Sequence, residues 1–248
     1  MIRRQSIVQL TTVALAALIA ASCTNGSSVE TANPTTDPPT TTTSEPADTA
    51  STTTTTEAST QPTPPESMPG DVIEFGPGAG DQIAVVGVAH DDMLNVRIAP
   101  GTEFDIIDTL DPLADEVIAL GENRLLTSSF WVEIETATGP GWVNEAFVGF
   151  LGVSQESTSD AVAASGGPVA VGELLAQTYA SVDPPSTVTL VDDSGDTVVY
   201  DVVGIGDDSV KGFRLAIVTE SVSGGTGVAS FTEHTICSRG LAQDLRCV

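Results

Sequence analysis

Leu94-Asn95-Val96-Arg97-Ile98-Ala99-Pro100-Gly101-Thr102 is the stretch on which the reading of this chain turns. Leu94 and Val96 alternate with Asn95 and Arg97, the period of a strand with one buried and one solvated face. Pro100-Gly101 predicts a tight turn, because Pro fixes its own φ and Gly accepts a positive one. The texture repeats outward. Gln82–Ala89 is an apolar strand-like run, and further short strands are expected at Asp105–Leu110, Glu116–Leu120 and Phe130–Thr136. A Thr138-Gly139-Pro140-Gly141 turn leads to Trp142-Val143 and Ala146–Leu151. Short strands between turns, with no useful helical period, predict a small β-barrel. Leu94, Val96, Leu110, Ile118, Val132, Ile134 and Val143 are its expected core.

The spacing of L-N-V-R-x-x-P-G-T at 94–102, Leu110, Trp131-Val132 and Gly141-Trp142-Val143 resembles that of bacterial SH3 (SH3b) domains. The resemblance covers Gln82 to Leu151 and implies an SH3-like barrel. Such domains commonly sit in wall-associated proteins, and some bind peptidoglycan peptides, so it implies a binding module rather than a catalyst. Asn95, Arg97, Trp131 and Trp142 are the candidate ligand-binding residues. The first two lie on the polar face of their strand, and the indoles offer large amphipathic surfaces. Packing roles for the tryptophans, and a solvated face for Asn95 and Arg97, are the competing readings.

Beyond residue 152 the chain reads as a small-residue linker at 153–166, then a domain at 167–248. Pro168 opens a helix, a place where its missing N–H costs nothing. Val171, Leu174, Leu175, Thr178 and Val182 recur at helical spacing until Asp183-Pro184-Pro185. Four strands follow at Thr187–Val191, Thr197–Val203, Val210–Ser221 and Val228–Ile236, separated by Gly/Asp turns. This predicts a helix on a four-stranded antiparallel meander, a small α+β unit. Cys237 and Cys247 are expected to form a disulfide that pins the tail to the last strand, stabilising this domain and leaving the barrel untouched. A Cys237–His234 nucleophile and base is the weaker alternative.

At the other end, Arg3 and Arg4, an apolar run from Val13 to Ala21, and Ala20-Ala21-Ser22-Cys23 resemble a bacterial lipoprotein signal. The resemblance implies lipid attachment at Cys23, the end of segment 1–23, and anchoring to the outer face of the cell membrane. Secretion without an anchor is the alternative. Segment 24–79 reads as a disordered stalk: Thr24–Pro69 holds 16 Thr, 8 Pro and no Lys or Arg. Its extended reach is on the order of 100 Å.

The fold expected is thus mainly β with one helix: signal, stalk, an SH3-like barrel over 80–152, linker, and an α+β domain. The formal net charge of −26 argues against nucleic acid as a partner, since such binding needs basic patches. The acidic turns Asp192-Asp193 and Asp207-Asp208 lack calcium-loop spacing, and two His residues give no zinc motif, so no metal or cofactor is expected. The function expected is non-catalytic binding of peptidoglycan or a wall-associated partner. A docking or scaffold role with another envelope protein is one alternative. An enzyme with an unrecognised catalytic C-terminal domain, drawing on His234, Glu233 and Tyr200, is the other.

Overall fold

The computed structural model describes residues 62–158 and 163–248, which belong to one compact unit. The signal, Cys23 and residues 24–61 of the expected stalk lie outside the described residues. Among the described residues the fold is mainly β with one helix. Its strands are β1 (Asp71–Val72), β2 (Gln82–Val85), β3 (Leu94–Arg97), β4 (Ile106–Leu110), β5 (Val117–Leu125), β6 (Phe130–Thr136) and β7 (Gly139–Asn144). A 3-10 turn, Glu145–Phe147, leads into β8 (Val148–Ser157) and β9 (Ala163–Ala164). Helix α1 (Gly167–Gln177) precedes β10 (Thr187–Ser194), β11 (Thr197–Val203), β12 (Val210–Val222) and β13 (Gly225–Cys237). Hydrogen bonding runs along one open path, β10-β11-β12-β13-β8-β2-β5-β6-β7-β3-β4, with β1 added to β5 and β9 to β13.

In the first half the alternation works as expected in β3: Leu94 and Val96 are buried, Asn95 is exposed. They join Ile83, Val85, Val132, Ile134, Val143 and Val148 in one core, with Leu110 packed at its margin. Gly141 is required here by close approach, since a Cβ on it would lie 2.5 Å from Val96 Cγ1. In β5 the core phase differs from expectation: Val117 and Ala119 point in, and Ile118 is only half-buried. The expected stalk also ends earlier than residue 79. Residues 68–79 pack along β5, where Arg124 Nη1 donates to the Met68 and Gly70 carbonyls at 2.9 and 3.1 Å and Ile73 N donates to Asn123 O at 3.0 Å. Ile73 and Phe75 supply apolar area that the Thr/Pro run lacks; Phe75 meets Phe130 edge-on at 5.4 Å.

In the second half α1 covers one face of the consecutive antiparallel strands β10 to β13. Val171 and Leu175 of the helix pack with Val198, Tyr200, Val202, Leu215 and Ile217. Gly172 allows that approach, because a Cβ there would come within 2.6 Å of Val198 Cγ2. Tyr200 Oη donates to Val169 O at 2.8 Å, and Tyr179 Oη donates to Glu233 Oε2 at the same distance. Burial pushes both phenols up to about 12, so they remain donors. The helix stops at Gln177, short of the periodic pattern: Leu174 and Val182 are exposed, and Val182 stands in the loop before Pro184.

Of the expected linker at 153–166, residues 153–157 belong to a strand. Residues 148–157 form one strand whose first residues pair with β2 (Ala84↔Gly149, Val85↔Val148) and whose remainder pairs with β13, from Cys237↔Phe150 to Phe231↔Ser157. Small residues there mark close packing rather than flexibility. A Cβ on Gly149 would lie 2.8 Å from Ile236 Cγ2, and one on Gly152 would lie 2.7 Å from Leu245 O and 3.2 Å from Cys237 Sγ.

The sheet face away from α1 carries a polar row, with Asp201 opposite Arg214 and Arg214 opposite His234. Arg214 Nε and Nη2 donate to Asp201 Oδ1 and Oδ2, each at 2.8 Å, and Nη2 also donates to Val85 O at 2.6 Å. Gly87 N donates to Asp201 Oδ2 at 2.7 Å. Both side chains are buried. The second half is thereby bonded to the backbone of the first.

The Cys237–Cys247 disulfide is present, with Cα atoms 5.1 Å apart. Cys237 belongs to the core of the first half, with Leu241 and Cys247 packed against it, and Val153 N donates to Leu245 O at 3.0 Å. The bond therefore does not serve the α+β half alone.

Two outcomes follow. Arg214→Met should lower unfolding free energy in urea by about 3–5 kcal/mol, because Asp201 is left buried and charged. Adding Asp201→Leu should recover much of that loss; a cost under about 1 kcal/mol for the single variant would show the junction does not rely on the pair. Reduction of Cys237–Cys247 should remove about 2.5–3 kcal/mol. It should also weaken amide-exchange protection at Val85 and Val148, and unchanged protection there would restore the expectation of an independent first half.

Candidate functional site

Asn95 and Arg97 reach the surface because their strand alternates, and β6 carries the buried Trp131 on the face opposite Val132 in the local pairing with β5 and β7. These three line a single groove of about 370 Å³. Its apolar margin includes Met93 and Phe147, both 41% exposed, and Thr189 of β10 contributes from the other half. Asn144 also lines it and shapes the turn beyond, its Oδ1 accepting from Ala146 N at 2.9 Å.

Each of the three predicted residues does something different. Asn95 is exposed and presents both a donor and an acceptor. Arg97 Nη1 donates to Phe104 O at 2.6 Å, so the guanidinium also holds the turn after Pro100-Gly101. Trp131 is only 2% exposed, and its Nε1 donates to Ser129 Oγ at 2.9 Å, which orients the ring as a fixed wall. Trp142 has the surroundings of the packing reading. It is 1% exposed, does not line the groove, and sits opposite Arg97 and Glu133 in the register. On β7 its neighbour Val143 enters the core, and Trp142 on the other face is covered as well.

The residues considered for catalysis do not converge. Tyr200, Leu215 and Glu233 lie in one row on the helix face, with both polar groups committed to Val169 O and Tyr179. His234 is on the opposite face beside Arg214. Burial, then the Arg214 guanidinium, holds its imidazole below the usual 6.5, with Asp115 opposing. The acidic turns are occupied by local bonds. Asp207 Oδ1 accepts from Ser209 N and Val210 N, each at 2.8 Å, Asp208 pairs with Arg239 at 3.2 Å, and Asp192 accepts from Ser194 Oγ. Among the described residues no cluster of three or more His, Cys, Asp or Glu side chains could hold a metal ion.

Met93, Phe147 and Thr189 were not legible as site residues. Met93 flanks the motif and Phe147 lies in a turn, where an exposed aromatic was a weak signal. Thr189 is far along the chain and carries no motif. The groove combines exposed apolar side chains with amide and guanidinium hydrogen-bonding groups around one rigid indole, a surface suited to holding a peptide-like segment.

Compared with protein-family models, curated proteins and solved structures, the chain finds no match in any of the three.

His234 makes the junction pH-sensitive. Its folded pKa lies below its unfolded one, so its contribution is present above about pH 6.5 and is lost as pH falls from there through the lower folded pKa. As pH falls below about 6.5, the urea midpoint should fall more steeply in the parent than in His234→Gln. Parallel profiles would exclude the imidazole as the cause.

Proposed function

We propose that this protein is a non-catalytic, extracytoplasmic lipoprotein, anchored through Cys23 and raised on its Thr/Pro-rich segment. Its SH3-like (SH3b) first half binds peptidoglycan or a wall-associated partner through the groove at Asn95, Arg97 and Trp131. One observation carries the reading: three of the four residues singled out by motif line the same groove, Asn95 and Arg97 from β3 and Trp131 from β6. The strongly acidic chain gives little long-range attraction for anionic polymers, so recognition rests on short-range contacts in the groove. The α+β half supplies Thr189 to the groove wall, and its Asp201 accepts a hydrogen bond from Gly87 N, another lining residue. A docking role for another envelope protein is the second reading, favoured by the exposed Met93 and Phe147 at the groove margin.

The test uses the whole chain from Thr24, because β8 and Arg214 tie the two halves together. It should co-sediment with purified wall, and Asn95→Ala with Phe147→Ala should reduce retention about tenfold, near 1.4 kcal/mol. Both substitutions are at exposed positions and should leave the fold intact. Retention no better than that of an equally acidic control protein removes the wall as ligand. A photo-crosslinker at Asn95 that captures an envelope protein in intact cells, and no wall fragment, selects the docking role.

A further inference from the structure

Beyond that groove, a cleft of about 590 Å³ lies between the turn at 73–77 and the Ser238-Arg239 loop, with Trp131 shared between the two cavities. We propose that this cleft is a second binding site, for a neutral and largely apolar small molecule that carries one hydrogen-bond donor.

Size and lining set the class. The volume falls within the range of small-molecule sites, and apolar side chains dominate such sites with a few placed polar groups. Phe75 is 63% exposed on the cleft, braced edge-on by Phe130, and so presents aromatic area for a ligand to cover. The two ionic side chains of the lining are each neutralised from outside it. Glu145 Oε1 is 2.9 Å from Lys211 Nζ, and Arg239 pairs with Asp208 at 3.2 Å. The cleft therefore offers no net charge, and the strongly negative field of the chain exerts no pull on a neutral ligand.

The donor requirement comes from Asn123. This side chain lines the cleft and is 5% exposed. Its Nδ2 donates to Pro77 O at 3.0 Å, which fixes the amide orientation, and its backbone carbonyl accepts from Ile73 N. Its Oδ1 is buried without a hydrogen-bond partner among the described residues. An unpaired buried acceptor is costly, and a donor that reaches it recovers that cost. Gly76 is the residue over it: with φ at +115°, a Cβ there would lie 3.0 Å from Oδ1. Because Gly76 has no side chain, a displacement confined to Gly76, with the Asn123 Nδ2–Pro77 O bond kept, opens the oxygen to the cleft. Asn123 thus clamps the turn with its amide N–H and backbone carbonyl, and the ligand donor takes its third bond.

The experiment titrates the chain from Thr24 with 2-naphthol and with 2-methoxynaphthalene, which has similar shape but no donor, and follows backbone amide resonances. Saturable shifts at Phe75, Gly76 and Ser238 are expected, with 2-naphthol about tenfold tighter. Asn123→Leu should erase that preference, while Phe75→Ala should weaken both probes and keep it. Asn95→Ala should change neither affinity, so this site and the groove fail or stand separately. The proposal is overturned by the absence of saturable shifts, by equal affinities, by a preference that survives in a folded Asn123→Leu variant, or by concentration-dependent shifts without probe that show a second copy in the cleft. Should Asn123→Leu not fold, the two probes on the parent and Phe75→Ala still decide.

Discussion

The bidentate pair between Arg214 and Asp201 is the constraint on which the arrangement of this molecule depends. A buried guanidinium and a buried carboxylate each lose several kcal/mol of hydration, and attraction offsets that only when the remaining hydrogen-bonding positions are filled. Here they are filled from the first half of the chain. The Val85 carbonyl accepts from the guanidinium, and the Gly87 amide donates to the carboxylate. The pair is satisfied only when β2 and the turn after it lie against the face of β11 and β12 that the helix leaves uncovered. It therefore specifies how the halves dock more than it adds to their attraction, which comes from the apolar clusters on either side.

Strand β8 carries the same coupling through the backbone. It begins beside β2 and continues beside β13, so the two halves are joined along one hydrogen-bonded path. Glycines at 149 and 152 let Ile236 and the disulfide come close. The tail then returns over this strand, with Cys237 in the core of the first half. Lys211 adds a local brace, its ammonium donating to the Glu145 and Val148 carbonyls and to Glu145 Oε1. Burial lowers its pKa and Glu145 opposes that effect. Three acceptors around one ammonium leave no orphaned donor at the start of β8.

This rigidity bears on the surface between the halves. The groove at Asn95 is walled by an indole locked to Ser129 and closed by Thr189 from the α+β half, so its shape depends on the docking that Arg214 enforces. A preformed groove loses less conformational freedom on binding than a mobile one, which suits recognition without help from charge. Trp131 borders both this groove and the cleft at Asn123.

Local pattern determined much of this protein. Alternation placed Leu94 and Val96 inside and Asn95 outside, the Gly/Asp turns separated β10 to β13 in consecutive order, and the two C-terminal cysteines in one tail were legible as a disulfide. These are contacts between neighbours in sequence or along one strand, where a period of two or a short loop carries the information. Tertiary structure alone decided the rest. Residues 153–157 read as linker until their pairing with β13 is seen, and Ile118 reads as core until pairing sets the phase of β5. Trp142 and Trp131 are alike in sequence, yet they differ in whether a cavity reaches them. Arg214 and Asp201 look like ordinary strand charges; only packing across 129 residues to Val85 makes them a buried pair. Such partners leave no periodic trace, because burial of a given side chain depends on which distant surface comes to cover it.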